Sequence, residues 1–165
     1  MPRGLGKSSP AQKLFSDLIS TFDAVPERWK PIPDTARRDT PRRRALAALA
    51  RQAFVETRRD GETLYIRLTQ KGVQQALRQT VIEKTALLPK GEYVYVSFDL
   101  PESVRALRDA FRLILKDARF RMIHQSLWYT TRDVGTELAQ LVEELEATKY
   151  IHVFQGRWLT RVVSA

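Results

Sequence analysis

Apolar positions recur along this chain with two periods, and the switches between them mark its elements. Over residues 11–22, Leu14, Phe15, Leu18, Ile19 and Phe22 fall at helical spacing and predict a core-facing helix. Pro26, Pro31 and Pro33 break that pattern across 23–40, leaving room for at most one short turn at 27–30. Thr40-Pro41 pairs a capping hydroxyl with a proline at the first helical position. That start predicts a helix to about Ala53, with Leu46, Leu49, Ala50 and Ala53 on its inner face. Alternation takes over at 54–57 and 63–68, and Asp60-Gly61 between them is a hairpin-turn signal. Thr69 caps a further helix through Val73, Leu77, Val81 and Ile82, which Pro89-Lys90-Gly91 ends.

The second half follows another order. Residues 93–98 are β-rich and predict a strand at the centre of a sheet. A helix over 101–117 turns Val104, Leu107, Phe111, Ile114 and Leu115 inward. Segments 120–123 and 126–130 are strand-like, with a bulge at His124-Gln125. A helix over 136–147 buries Leu138, Leu141, Val142 and Leu145 and turns Glu137, Glu143, Glu144 and Glu146 outward. A strand at 150–154 and, after Gln155-Gly156, a short one at 158–163 complete the chain. The order βαββαβ is the ferredoxin-like, split βαβ arrangement, so the fold class is α+β. The expected domains are a flexible tail at 1–10, a first domain at 11–89 and a ferredoxin-like domain at 90–165.

Composition narrows the function. The 165 residues are 43% hydrophobic and 28% charged, a globular balance. No apolar run approaches the roughly 18 residues of a membrane span, and Met1 to Lys7 has no apolar stretch behind it, so neither a membrane protein nor a secretory signal is expected. The absence of cysteine excludes disulfides, thiolate zinc sites and cysteine nucleophiles and fits a cytoplasmic location.

Charge is the more telling quantity. The net charge is +9, and residues 1–90 hold 18 basic and 9 acidic side chains against 10 and 10 in 91–165. The whole excess lies in the first half, as expected if that module meets a polyanion. Helix, turn, helix, hairpin and helix match a winged helix-turn-helix, in which one helix enters the major groove of double-stranded DNA and the wing touches the backbone. Residues 40–53 suit the reading role. Arg44, Ala47, Ala48 and Arg51 point away from the inner face, and an arginine flanked by small residues can reach guanine. Arg37, Arg38, Arg42 and Arg43 gather at the N-terminal end of this helix, where phosphate is favoured, and Arg58 and Arg59 are expected at the wing tip.

The run Tyr95-Val96-Ser97-Phe98-Asp99-Leu100-Pro101-Glu102 resembles the PaaX-like family. Arg105, Arg108-Asp109, Phe111-Arg112, Leu115, Phe120 and Gln125-Ser126-Leu127-Trp128 belong to the same ordered set, which covers about 92–158. Leu68-Thr69-Gln70-Lys71-Gly72 extends it backwards. The resemblance implies a winged helix joined to a ferredoxin-like domain similar to the Cas-two protein, the non-integrase subunit of CRISPR spacer acquisition. It implies a cytoplasmic, homodimeric, DNA-binding transcriptional regulator. The neutral second domain is then expected to pair two copies, with strand 158–163 as a candidate pairing element.

Two other functions remain open. One is a DNA-organising partner of an integrase subunit, with no chemistry of its own. The other is a metal-dependent nuclease. In the CRISPR relatives an aspartate at the end of the first strand is the proposed metal ligand, so Asp99 from each of two subunits would share a Mg²⁺ ion that activates water. Asp99-Leu100-Pro101-Glu102 also has the spacing of a helix capping box, a structural role for the same carboxylate. His124 and His152 read as packed or surface residues, Phe98 and Trp128 as core, and Trp158 as core or a dimer contact.

Overall fold

The computed structural model describes residues 28–32 and 40–160. The predicted tail and the helix at 11–22 lie outside these residues, as do Arg37, Arg38 and the end of the predicted last strand. The fold is α+β with two antiparallel sheets, and the chain divides into two compact units between Ala76 and Leu77.

The first unit holds β1 (Lys30–Ile32), α1 (Thr40–Arg51), β2 (Val55–Asp60), β3 (Thr63–Leu68) and the start of α2 (Gln70–Glu83). Its sheet has the order β1-β3-β2. The segment read as broken by prolines thus contributes a strand. Pro31 lies opposite Tyr65 in a three-residue edge strand, where a missing N–H is tolerated.

Helix α1 ends earlier and turns differently than predicted. Its buried residues are Ala45 and Leu49, whereas Ala50 and Ala53 are exposed. Ala53 has φ 57°, and the amides of Ala53 and Phe54 donate to Ala50 O and Leu49 O, both at 3.0 Å. This is a Schellman closure, with Ala53 in the left-handed position that reverses the chain. The hairpin is also longer than its pattern implied. Asp60 pairs with Thr63, so only Gly61 (φ 55°) and Glu62 form the loop.

Thr69 caps α2 as expected, accepting from the Gly72 amide at 3.0 Å. Its hydroxyl also donates to Ala53 O at 2.6 Å, and its amide donates to Phe54 O at 3.1 Å. One residue therefore ties the start of α2 to the turn after α1.

The second unit continues with β4 (Glu92–Phe98), a 3₁₀ turn (Glu102–Val104), α3 (Arg105–Asp117), β5 (Arg121–His124), β6 (Leu127–Thr130), α4 (Gly135–Glu144) and β7 (Ile151–Arg157). The sheet order is β5-β6-β4-β7, which places β4 inside as its apolar run predicts. Val94, Val96 and Phe98 pack in one core with Phe111 and Leu115 of α3 and Leu138 and Leu141 of α4. Each such buried side chain is worth about 1.5–3 kcal/mol.

The predicted bulge falls between Met122 and His124. The predicted break at Gln155-Gly156 is absent. Gly156 lies opposite Tyr93, and β7 runs unbroken to Arg157. Residues 158–160 are not strand.

Candidate nucleic-acid interface

Helix α1 presents its cations outward. Arg42, Arg43, Arg44 and Arg51 are all exposed, as is Ala47, while Ala48 is half-buried. Arg44 and Arg51 are seven residues apart and share a face, with Ala47 and Ala48 between them. Arg43, Arg44 and Arg51 have no carboxylate partner among the described residues. The helix has no acidic residue in its first turn, where the positive end of its dipole lies.

The two hairpin arginines lie in a strand and not in the turn. Arg58 and Arg59 are strand residues, opposite Tyr65 and Leu64, and therefore point to opposite faces of the hairpin. Arg58 stacks over Trp29 at 5.1 Å and over Tyr65 at 5.7 Å. Arg67 covers the same indole at 4.8 Å and pairs with Glu56 at 2.6 Å. Arg59 is exposed, with no such partner among the described residues.

Sequence reasoning passed over Trp29 and Arg67. Arg67 was visible in principle, because alternation places it beside Tyr65 on the polar face of β3. Lys71 was also missed. Its ammonium lies 5.1 Å from the Phe54 ring and donates to Gln52 O at 3.0 Å, a contact close to the turn after α1.

Asp99 is exposed at the end of β4. The capping box predicted for it does not form, because Pro101 occupies the cap position and no side chain caps the turn. Glu102 instead accepts from Arg108 at 2.7 Å and from Arg105 at 3.3 Å. The Asp99 amide donates to Tyr150 O at 2.9 Å. No group of three His, Cys, Asp or Glu side chains that could hold a metal ion occurs among the described residues. His124 and His152 are exposed, and His124 Nδ1 lies 3.3 Å from Ser126 Oγ.

A search of curated proteins finds no match to the chain. Residues 89–163 match the family model described as the PaaX protein central Cas2-like domain. This span contains β4, α3, β5, β6, α4 and β7, so the second half of the chain is similar to that family's Cas2-like domain.

Proposed function

We propose that the chain is a cytoplasmic, homodimeric, DNA-binding transcriptional regulator of the PaaX class. Residues 11–89 act as a winged helix-turn-helix, and 90–165 act as a ferredoxin-like domain that pairs two copies. The observation that carries this reading is the arginine face of α1, built on Arg43, Arg44 and Arg51 around small alanines and without carboxylate partners among the described residues. Exposed guanidiniums on one helix face can meet phosphate oxygens and base edges. The hairpin that follows α1 directly supports the winged reading, with Arg59 as its available cation. The sheet order β5-β6-β4-β7 supports the ferredoxin-like reading, and β7 at its edge offers unpaired backbone groups to a second copy.

Selection of bound duplexes from a random pool by the full chain tests this. A two-fold-symmetric motif is expected, with a dimer in sedimentation. Arg44→Ala should cost about 1–3 kcal/mol on that motif and relax its sequence preference. Equal loss on specific and random duplexes would remove Arg44 from base reading.

The Cas2-like character of the matched domain supports a second reading, a DNA-organising subunit beside an integrase. Preference for short duplexes with frayed ends over any internal motif would favour it.

A further inference from the structure

The face of the second sheet turned away from its helices is aromatic. Tyr93 and Tyr129 stand 5.6 Å apart on β4 and β6, and Trp158 meets their rings edge-on at 6.5 and 6.1 Å. Beside them opens a cavity of about 420 Å³ with Arg119, Arg121 and Arg132 in its wall. That volume is within the range of small-molecule sites, about 300–1,000 Å³.

The three arginines are placed in the cavity wall by separate devices. Arg132 is fixed by its backbone and its side chain. The amides on either side of this position are ordered by pairing between 86–88 and 131–133, and Nη1 donates to Ile82 O at 3.0 Å and Ala118 O at 3.3 Å. Arg121 opens β5. Arg119 follows α3 with φ 61°, and the bonds Arg119 N to Lys116 O and Phe120 N to Leu115 O make it the left-handed residue of a Schellman closure. Glycine suits that position best, so an arginine there retains strain of about 1 kcal/mol beside the cavity.

None of the three has a carboxylate partner among the described residues. The acid at the start of β4, Glu92, is already held by Arg157 at 2.6 Å and Gln155 at 2.9 Å. The indole N–H of Trp158 is shielded from solvent and also lacks an acceptor among the described residues. Clustered cations call for a multiply charged anion, and the ring wall calls for a flat partner.

We propose that this cavity binds a nucleoside monophosphate, with the phosphate on Arg119 and Arg121 and the base against Tyr93, Tyr129 and Trp158. The site lies wholly within the second unit and does not depend on duplex binding by α1. The test is calorimetric titration of the full chain with adenosine monophosphate, and with inorganic phosphate and adenosine separately. Saturable binding of the monophosphate is expected, with each half binding more weakly. Arg119→Gly and Arg121→Ala should each weaken it about tenfold. Arg119→Gly should do so without lowering the melting temperature of the unliganded chain, since it relieves the left-handed strain. Absence of saturable binding, affinity unchanged in both variants, or phosphate binding as tightly as the nucleotide would each overturn the proposal.

Discussion

Arg67 donates to one oxygen of Glu56 through both Nε and Nη2, at 2.7 and 2.6 Å, from directly opposed positions on β3 and β2. With both Arg67 and Arg58 lying over the Trp29 ring, the polar face of the hairpin satisfies much of its own charge. Releasing Arg67 should therefore add a cation to any nucleic-acid interface that the hairpin joins. Glu56→Gln is expected to tighten duplex binding and steepen its dependence on salt by about one unit in the log–log slope. Both side chains of the pair are more than a third exposed, so stability should change by less than about 1 kcal/mol. A salt slope equal to that of the unsubstituted chain would place the hairpin outside the interface.

The turn after α1 has no freedom to accept a side chain at Gly72. A Cβ there would collide with the Phe54 carbonyl oxygen and approach Leu68 Cδ2 at 3.3 Å. The carbonyl cannot swing aside, because the Thr69 amide donates to it at 3.1 Å and the Thr69 hydroxyl holds the neighbouring Ala53 carbonyl. Gly72→Ala should lose about 3 kcal/mol in chemical denaturation. Thr69→Ala should lose about 1–2 kcal/mol, and Thr69→Ser should recover most of it. A neutral Gly72→Ala would mean that α2 starts differently.

The parts of the fold that were legible in the sequence are those where burial is one-sided. Phe111, Ile114 and Leu115 in α3, and Leu138, Leu141 and Val142 in α4, lie on the faces their spacing predicts, because each swap with a polar neighbour would expose a large apolar surface. The inner face of α1 was less legible because alanines dominate it. Ala45, Ala50 and Ala53 are equivalent by composition, and the chain reversal at Ala53 decides which of them is buried. Strand β1 was hidden because its order comes from pairing with β3, more than thirty residues away, and not from its own pattern. Length of the hairpin was hidden for a related reason, since 56–60 are all exposed and polar residues carry no alternation signal. The arginines were visible one by one. Their partners were not, because the strand register sets Glu56 against Arg67 and Arg58 against Tyr65. The capping box failed on position, since the turn begins at Glu102 and leaves Asp99 too early to cap it.

Ala53 and Glu146 end their helices in the same way as Arg119. Each has a positive φ, 57° and 53°, and Glu146 and Ala147 donate to Glu143 O at 2.9 Å and Val142 O at 3.0 Å. A side chain in this conformation crowds its own backbone, a cost that glycine avoids. Ala53→Gly and Glu146→Gly should each raise stability by about 0.5–1 kcal/mol, part of the gain being offset by the greater freedom of glycine in the unfolded chain. Thermal and chemical denaturation of the single variants measure this. A loss of 1 kcal/mol or more at both positions would contradict the left-handed assignment.

Lys84 is the titratable group whose folding linkage is best defined. Its ammonium donates to Glu137 Oε1 at 2.8 Å and lies 3.7 Å from Asp133. The hydrogen bond to Glu137 raises the pKa of Lys84 above the usual 10.5, burial opposes the rise, and the charges of Glu137 and Asp133 add to it. A cation whose pKa is higher in the folded than in the unfolded state contributes fully while both states are protonated, and loses that contribution as pH climbs through the folded value. The side chains of Lys84 and Glu137 are 28% and 22% exposed, so the pair is worth about 1–2 kcal/mol. Lys84→Met should therefore be less stable than the unsubstituted chain by a constant margin from pH 6 to 9. The margin should narrow above pH 10.5, where the unsubstituted chain loses its pair and the variant has none to lose. Denaturant midpoints of both proteins across this range measure the difference, which subtracts the other lysines and the tyrosines common to both. A margin that stayed constant up to pH 12, or widened, would show that the ammonium is not what Glu137 stabilises.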